Sequence, residues 1–124
     1  MARITLSKQG LDYLSNVMVE LGIERPLALK IALAKGIASE KPLNEEKKDS
    51  SDFVFHSDVI AKDHELLLIK HLIINKLKKK IKDQKIDEYI YFFIEHGLEV
   101  INEEINNLSN LDNYLFYLID KHSK

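Results

Sequence analysis

Six lysines fall within ten residues near the middle of the chain and are its most concentrated chemical signal. They are Lys76, Lys78, Lys79, Lys80, Lys82 and Lys85. Ammonium groups at this density neutralise the phosphates of a nucleic-acid backbone, and each neutralised phosphate adds salt-dependent affinity. The alternative is a solvated helix C-terminus, where the helix dipole favours cations. The cluster therefore predicts either a DNA-backbone contact or a charged helix end.

Two smaller groups of candidate DNA contacts lie in the first 30 residues. Arg3 and Thr5 occupy alternate positions of a predicted strand, on the side away from its apolar residues, from which they can reach DNA. If that strand serves only dimerisation, neither residue has a ligand. Arg25 and Lys30 stand at the start of a predicted helix, whose free backbone N–H groups also bind phosphate.

The first of the elements that hold these residues is a short strand. Ile4 and Leu6 alternate with polar residues in a period of two, which is typical of a half-buried strand. Ser7 is a good N-cap for a first helix, Gly22 a good C-cap, and Pro26 suits the first turn of a second helix. A strand this short needs a partner for its backbone groups, and we expect the same strand of a second copy. That arrangement is a ribbon-helix-helix, whose ribbon fits the major groove of DNA.

The second helix, running to about Ala38, is apolar nearly all round. Such a helix is usually buried, which predicts packing against a second subunit or against the C-terminal half. Ala28, Ala32 and Gly36 stand four residues apart and would allow a close helix approach. The pattern fits an ordinary core helix as well as a dimer interface.

The rest of the chain reads as a polar linker followed by helices. The linker spans residues 40–52, and Phe53-Val54-Phe55 has the composition of a second short strand. A third helix is predicted from near Asp58 or Asp63 to about Ile81, and a fourth after a turn at Asp83-Gln84. A final helix is predicted after Ser109. The fold class is therefore mainly α, a single domain over 1–124, with a ribbon-helix-helix-like segment over 1–39 and about three helices in the helical segment over 53–124.

Composition excludes several classes of function. The chain has no cysteine, which excludes disulfides and thiol catalysis. It has no apolar run long enough for a membrane span and no signal-peptide pattern at its start, so we expect a cytoplasmic protein. Residues 53–86 carry eight basic and four acidic groups, whereas residues 87–124 carry two and eight. This asymmetry indicates two faces with different partners or simply charged helix surfaces.

Neither the histidines nor the paired acids predict an active site. His64 and His71 are two helical turns apart, too far to bind one ion together. Glu95 and Glu99, and also Glu103 and Glu104, are more consistent with a solvated acidic face or a surface for a basic partner protein than with acid–base catalysis. We therefore expect no metal site, no cofactor and no enzymatic activity.

The order and spacing of several segments resemble the DndE family of DNA sulfur-modification proteins over about residues 3–105. The segments that carry the resemblance are Arg3-Ile4-Thr5-Leu6-Ser7, Gly22-Ile23, Lys30-Ile31-Ala32-Leu33, Gly36-Ile37-Ala38 and His96-Gly97-Leu98. Lys30 and His96 stand where the family typically has arginine, and His96 lacks a permanent charge near neutral pH.

The resemblance implies a DNA-binding accessory protein that works with the sulfur-transfer enzymes of phosphorothioate modification. In that modification a sulfur replaces a non-bridging oxygen of the DNA backbone. The resemblance further implies a homo-oligomer, a dimer or a tetramer, that is not itself the catalyst. Two other classes stay open: a ribbon-helix-helix repressor or antitoxin, and a protein-only adaptor whose acidic fourth helix docks a partner.

Overall fold

A computed structural model describes residues 3–107 of the chain, apart from residues 47 and 63. In chain order its elements are β1 (Arg3–Ser7), α1 (Lys8–Leu21), α2 (Arg25–Ala38), β2 (Ser50–His56), a one-turn 3-10 helix (Ser57–Val59), α3 (His64–Leu77) and α4 (Asp83–Asn107). The predicted fold class, mainly α with a strand and two helices at the N-terminus, is confirmed. The helix predicted after Ser109 lies outside the described residues. Nowhere in the described part is a helix long and apolar enough to cross a membrane.

Helix α1 begins and ends at the predicted capping residues. The Ser7 hydroxyl accepts a hydrogen bond from the Gly10 N–H at 2.8 Å, which satisfies one of the free donors of the first turn. Gly22 has a φ of 63°, and its N–H donates to the Met18 carbonyl. This left-handed conformation carries no steric penalty for glycine, so Gly22 ends the helix.

Strand β1 finds its partner within the chain. It pairs with β2 in an antiparallel sheet, with Ile4 against Phe55 and Arg3 against His56. Ile4 and Phe55 are both buried. The expectation that β1 finds its partner strand in a second copy is therefore wrong, because β2 of the same chain, more than 40 residues away, pairs with one edge of β1.

The tightest packing joins α2 to α4. A Cβ added to Gly97 would overlap the carbonyl oxygen of Ala32, and one added to Gly36 would overlap that of Phe93. The small residues of α2 thus allow the predicted close approach, and they do so inside one chain. The predicted packing of α2 against the C-terminal half is thus present, although Leu27 remains 48% exposed within the chain.

Helix α1 runs beside α4 in the same direction. The Ser7 N–H donates to Glu95 Oε1 at 2.8 Å, 88 residues along the chain, and Asn16 Nδ2 donates to Asn102 Oδ1 at 2.7 Å, 86 residues along. The nearly constant separation shows that the two helices are parallel. Leu21, the last residue of α1, therefore lies about level with Asn107 on α4.

The ends of α3 and α4 differ from the prediction. Helix α3 stops at Leu77, four residues before Ile81, because Lys78 adopts a φ of 54°. The Lys78 N–H still donates to the carbonyl of Ile74 at 2.7 Å, as in other left-handed helix caps. Helix α4 starts at Asp83, where a turn was expected to precede the helix.

The loop between α2 and β2 corresponds to most of the predicted polar linker. The charged residues in its described part are exposed, but Leu43 is half-buried against the core. Lys41 Nζ lies 2.5 Å from Glu103 Oε2 on α4, and Lys48 Nζ donates to the Gln9 side chain at 2.8 Å. The loop is thus attached to the helices at both of its ends, and the predicted linker overlaps β2, which begins at Ser50.

Candidate nucleic-acid interface

The lysine cluster spans three local structures. Lys76 lies in the last turn of α3, residues 78–82 connect the helices, and Lys85 lies in the first turn of α4. Only Lys76 fits the alternative of a cation at a helix C-terminus, and its Nζ donates to the Ser39 carbonyl at 2.7 Å. Because Lys78 is left-handed, the lysines after it follow a different direction from the axis of α3.

Four of the lysines line one open groove of about 450 Å³, here named the lysine groove. These four are Lys79, Lys80, Lys82 and Lys85. The other lining residues are Glu45, Ile81, Glu88, Tyr89 and Phe92. The groove is therefore basic along the connecting loop and aromatic along α4.

Two contacts fix lysines within the lysine groove. Lys79 Nζ lies 5.2 Å from the centroid of the Tyr89 ring, within the range of a cation–π interaction. The hydrogen bond to Tyr89 raises the pKa of Lys79 above its ordinary 10.5, so this lysine is fully charged at neutral pH. Lys85 Nζ lies 3.6 Å from the Glu88 carboxylate, and this pairing partly neutralises Glu88.

Arg3 and Thr5 line a second groove, of about 420 Å³, named the strand groove. The other lining residues are Ile4, Lys48, Ser50, Asp87, Glu88 and Tyr91. Burial raises the pKa of Asp87 above its ordinary value. Glu88 lines both the strand groove and the lysine groove, so the two grooves adjoin along the first turns of α4.

Arg25 and Lys30 lie elsewhere. The Arg25 guanidinium stacks over the Phe53 ring of β2, 4.7 Å from its centroid. Lys30 lines a third groove, of about 470 Å³, named the turn groove. It is formed by Gly22, Ile23, Glu24, Pro26, Leu27, Lys30 and Val59. The predicted DNA-binding residues thus divide into one group around the start of α4 and another around the start of α2.

The role of Glu95 could not be recognised from the sequence. Its half-buried carboxylate accepts the Ser7 N–H and lies so close to Gly10 that a Cβ there would overlap it. A carboxylate is favourable at this place because the N-terminus of α1 carries partial positive charge. The expectation of a solvated acidic side chain is therefore wrong for Glu95. Glycine in the first turn of α1 is the local signal for the close contact.

Burial also changes the chemistry of two neighbours of Glu95. It raises the pKa of the Tyr91 hydroxyl, and the nearby Glu95 carboxylate raises it further. It lowers the pKa of His96 below its ordinary 6.5, so His96 is neutral at pH 7. Within the described part of the chain, His96 Nε2 is buried without a hydrogen-bond partner. His96 therefore offers no charge to a phosphate.

The searched residues contain no group of acids and histidines that could hold a metal ion. Glu103 pairs with Lys41, and Glu104 Oε1 lies 2.7 Å from Lys35 Nζ. These two acids of α4 thus bind lysines that follow or belong to α2, and the pairs are partly exposed.

Comparison with known proteins places this arrangement in a family. The model of the family described as DNA sulphur modification protein DndE matches residues 3–109. No curated protein matches the chain. The crystal structure of DndE from Escherichia coli B7A, described as involved in DNA phosphorothioation modification, superimposes with a TM-score of 0.63 at 18% identity. The match covers 82% of this chain and 96% of that one. Since the family model matches most of its length, the chain belongs to the DndE family of DNA sulphur modification proteins.

Proposed function

We propose that the protein is a non-catalytic DNA-binding accessory of phosphorothioate modification. It contacts the DNA backbone through the lysines around the start of α4 and works beside the other sulfur-modification proteins of its system. Membership of the DndE family supports the system, and the lysine and strand grooves support the DNA contact. Because DNA is the proposed ligand, we also propose that the protein is cytoplasmic.

One observation carries the proposal: the lysine groove and the strand groove adjoin at Glu88. Together they gather basic side chains from β1, from the loop before β2 and from the segment between α3 and α4. Positive charges collected from distant segments onto one surface favour a polyanion, because each of them can neutralise a separate phosphate. Thr5 adds a hydroxyl that can donate to a phosphate oxygen.

The acids in these grooves restrict how DNA can lie. Glu88 is at the junction of the two grooves, and Asp87 lies beside it in the strand groove. The pairing of Glu88 with Lys85 and the raised pKa of Asp87 reduce the repulsion of a phosphate without removing it. The DNA backbone is therefore expected to follow the basic loop of the lysine groove and the Arg3 side of the strand groove, leaving the junction free.

Fluorescence anisotropy with DNA duplexes of unrelated sequence, across a salt series, tests the proposal. About four or five phosphate contacts give a slope of roughly −4 for log affinity against log salt concentration. The expected result is this slope with every duplex, since backbone contacts carry no sequence information. Affinity confined to one sequence, or no binding at low salt, contradicts the proposal.

A protein-only adaptor is the second candidate, and the acids support it. Glu45, Asp87 and Glu88 line the same grooves as the lysines, so a protein surface with mixed charges would also fit. Absence of DNA binding at low salt would favour this candidate. The repressor alternative depended on a ribbon between two copies, whereas β1 pairs with β2 of its own chain.

Self-association is part of the proposal, but we attribute it to an exposed apolar face of α3 and not to a ribbon of two β1 strands. On α3, Leu67, Leu68 and Leu72 are 54%, 59% and 43% exposed, and such an apolar face marks an interaction surface. We infer that α3 contacts a second copy. Sedimentation equilibrium is expected to show a dimer or tetramer that dissociates in the variant Leu68→Asp/Leu72→Asp. A monomeric parent, or a variant that still assembles, contradicts this inference.

A further inference from the structure

The lysine groove has an aromatic wall that phosphate contacts do not require. The half-buried Tyr89 and the buried Phe92 line the groove along α4. The two rings meet edge to face, with centroids 6.1 Å apart and planes at 74°, so Phe92 restricts the orientation of Tyr89. A phosphate gains nothing from such rings, whereas every DNA base has a face that stacks on them.

The contact that covers the Tyr89 ring can be exchanged for a base. Lys79 Nζ lies over this ring, 5.2 Å from its centroid, and the Lys79 side chain is exposed. A cation–π contact at an exposed site is weaker than the stacking of a base on an aromatic ring. A base can therefore replace the ammonium group on Tyr89, and the released Lys79 can contact a phosphate of the same strand.

A second aromatic ring beneath a cation provides a contrast. Phe53 on β2 lies under the Arg25 guanidinium, 4.7 Å from its centroid. It also stacks on Phe55, with centroids 5.6 Å apart and planes at 26°. Phe53 lines none of the lysine, strand and turn grooves. A cation over an aromatic ring thus occurs twice, but only Tyr89 combines it with a basic groove.

The carboxylate of Glu45 is explained better by a base than by a phosphate. Glu45 lines the lysine groove together with the exposed Lys80 and Lys82. It repels a phosphate, but it can accept a hydrogen bond from the exocyclic amino group of adenine or cytosine. The groove volume of about 450 Å³ lies within the range of roughly 300–1,000 Å³ that is typical of small-ligand sites. It is therefore large enough for one nucleotide.

We propose that the lysine groove binds one unpaired nucleotide of a DNA strand, whose base stacks on Tyr89 in place of Lys79 Nζ. Lys79, Lys80 and Lys82 contact the phosphates on either side of this base. The inference rests on the proposed function, because the same strand supplies those phosphates. The base lies outside the double helix, since an enzyme or binding protein cannot reach the face of a base that remains in the stack. Several lysines around one groove favour a strand with several phosphates over a free nucleotide.

Three versions of one DNA duplex test the proposal with the full chain at one salt concentration. The first is intact, the second carries one extrahelical adenine, and the third carries an abasic residue at the same place. The parent protein is expected to bind the second about tenfold more tightly than the other two, as for one stacked base. Tyr89→Leu is expected to lose this preference while it binds the intact duplex as the parent does. Tyr89→Phe keeps the ring and is expected to keep the preference, as is the matched control Phe53→Leu.

A fluorescent adenine analogue at the extrahelical position gives an independent readout. Its emission falls when it stacks on another ring, and the chain has no tryptophan to obscure the signal. Emission is expected to fall on binding to the parent protein and to Tyr89→Phe, and to stay unchanged on binding to Tyr89→Leu. Unchanged emission with the parent protein overturns the proposal, even if Tyr89→Leu does not fold.

The affinities separate this proposal from the proposed function. Equal affinity of the parent protein for all three duplexes would overturn the proposal and leave binding to the DNA backbone in place. Absence of binding to any duplex would overturn both. Loss of the preference in Phe53→Leu as well would remove the specific role of Tyr89. Tighter binding of free deoxyadenosine monophosphate than of the extrahelical duplex would assign the groove to a free nucleotide.

Discussion

The start of α4 and the start of α2 lie beside two kinds of groove with similar size and different chemistry. Near the start of α4, the lysine and strand grooves have volumes of about 450 and 420 Å³ and are lined by six basic residues. The turn groove, at the start of α2, has a volume of about 470 Å³, but Lys30 is the one basic residue among its mainly apolar lining residues. The comparison teaches that basic residues support the proposed DNA contact where the fold gathers them on one surface, and not merely where the sequence contains them.

The largest effect on this comparison is expected from Gly97→Ala, because the close packing of α2 on α4 determines where the two regions lie. A Cβ at this position would overlap the Ala32 carbonyl, and overpacking at a rigid backbone contact costs about 3 kcal/mol. Gly22→Ala is the control; with a φ of 63° and open space around it, it is expected to cost about 1 kcal/mol. Urea unfolding measures both, and equal losses would contradict the close contact of α2 with α4.

The double variant Arg3→Gln/Lys48→Gln compares the strand groove directly with the start of α2. Loss of two backbone contacts is expected to weaken DNA binding about tenfold and to lower the salt slope. The matched variant Arg25→Gln/Lys30→Gln removes the same charges from the other region and is expected to leave the affinity within about twofold. Anisotropy titrations of the two variants decide between the two regions. A larger loss of DNA affinity in the second variant would place the DNA site at the start of α2.

Lys79→Met is expected to have a smaller effect because it removes one charge while keeping an unbranched apolar stem. The expected loss of DNA affinity is a few-fold. Lys79→Arg keeps both the charge and the contact with the Tyr89 ring and is expected to restore binding. Unchanged affinity in Lys79→Met would show that the aromatic side of the lysine groove does not face DNA.

His96→Gln is expected to alter the pH dependence of stability and to leave DNA binding unchanged, since His96 lines neither groove around the start of α4. The pKa of His96 is lowered by burial, so the unfolded chain binds this proton more readily than the folded one. The contribution of neutral His96 to the free energy of unfolding is therefore fully present above pH 6.5. It is lost as the pH falls toward the lower pKa that His96 has in the folded state. Unfolding midpoints measured between pH 7 and pH 5 are expected to fall less steeply in the variant than in the parent protein. Parallel curves for the two proteins would contradict a lowered pKa of His96.

Features that depend on neighbouring residues could be predicted from the sequence. Ser7 and Gly22 act within one helical turn, so the start and end of α1 follow from local chemistry. The alternation of Ile4 and Leu6 likewise indicates which side of β1 is buried. The family resemblance rested on segments of this kind, and the match over residues 3–109 confirms it.

Features that depend on distant residues could not be predicted from the sequence. The partner of β1 lies more than 40 residues away in β2, and no local pattern distinguishes it from a second copy. The left-handed Lys78 carries no glycine or asparagine signal, so the sequence overextends α3. Glu95 binds the start of α1 only because α1 and α4 lie side by side. The separation of Arg25 and Lys30 from the lysine groove likewise depends on how elements distant in the sequence pack together.

The central claim is that DNA binds around the start of α4, and a pair of charge reversals tests it most directly. Lys80→Glu/Lys82→Glu in the lysine groove and Lys30→Glu/Lys62→Glu at exposed positions elsewhere change the net charge equally. In anisotropy titrations at one salt concentration, the first variant is expected to bind on the order of 100-fold more weakly than the parent protein and the second less than about threefold. Equal losses in the two variants, with both still folded, would show that only overall charge matters and would contradict a DNA site at these grooves.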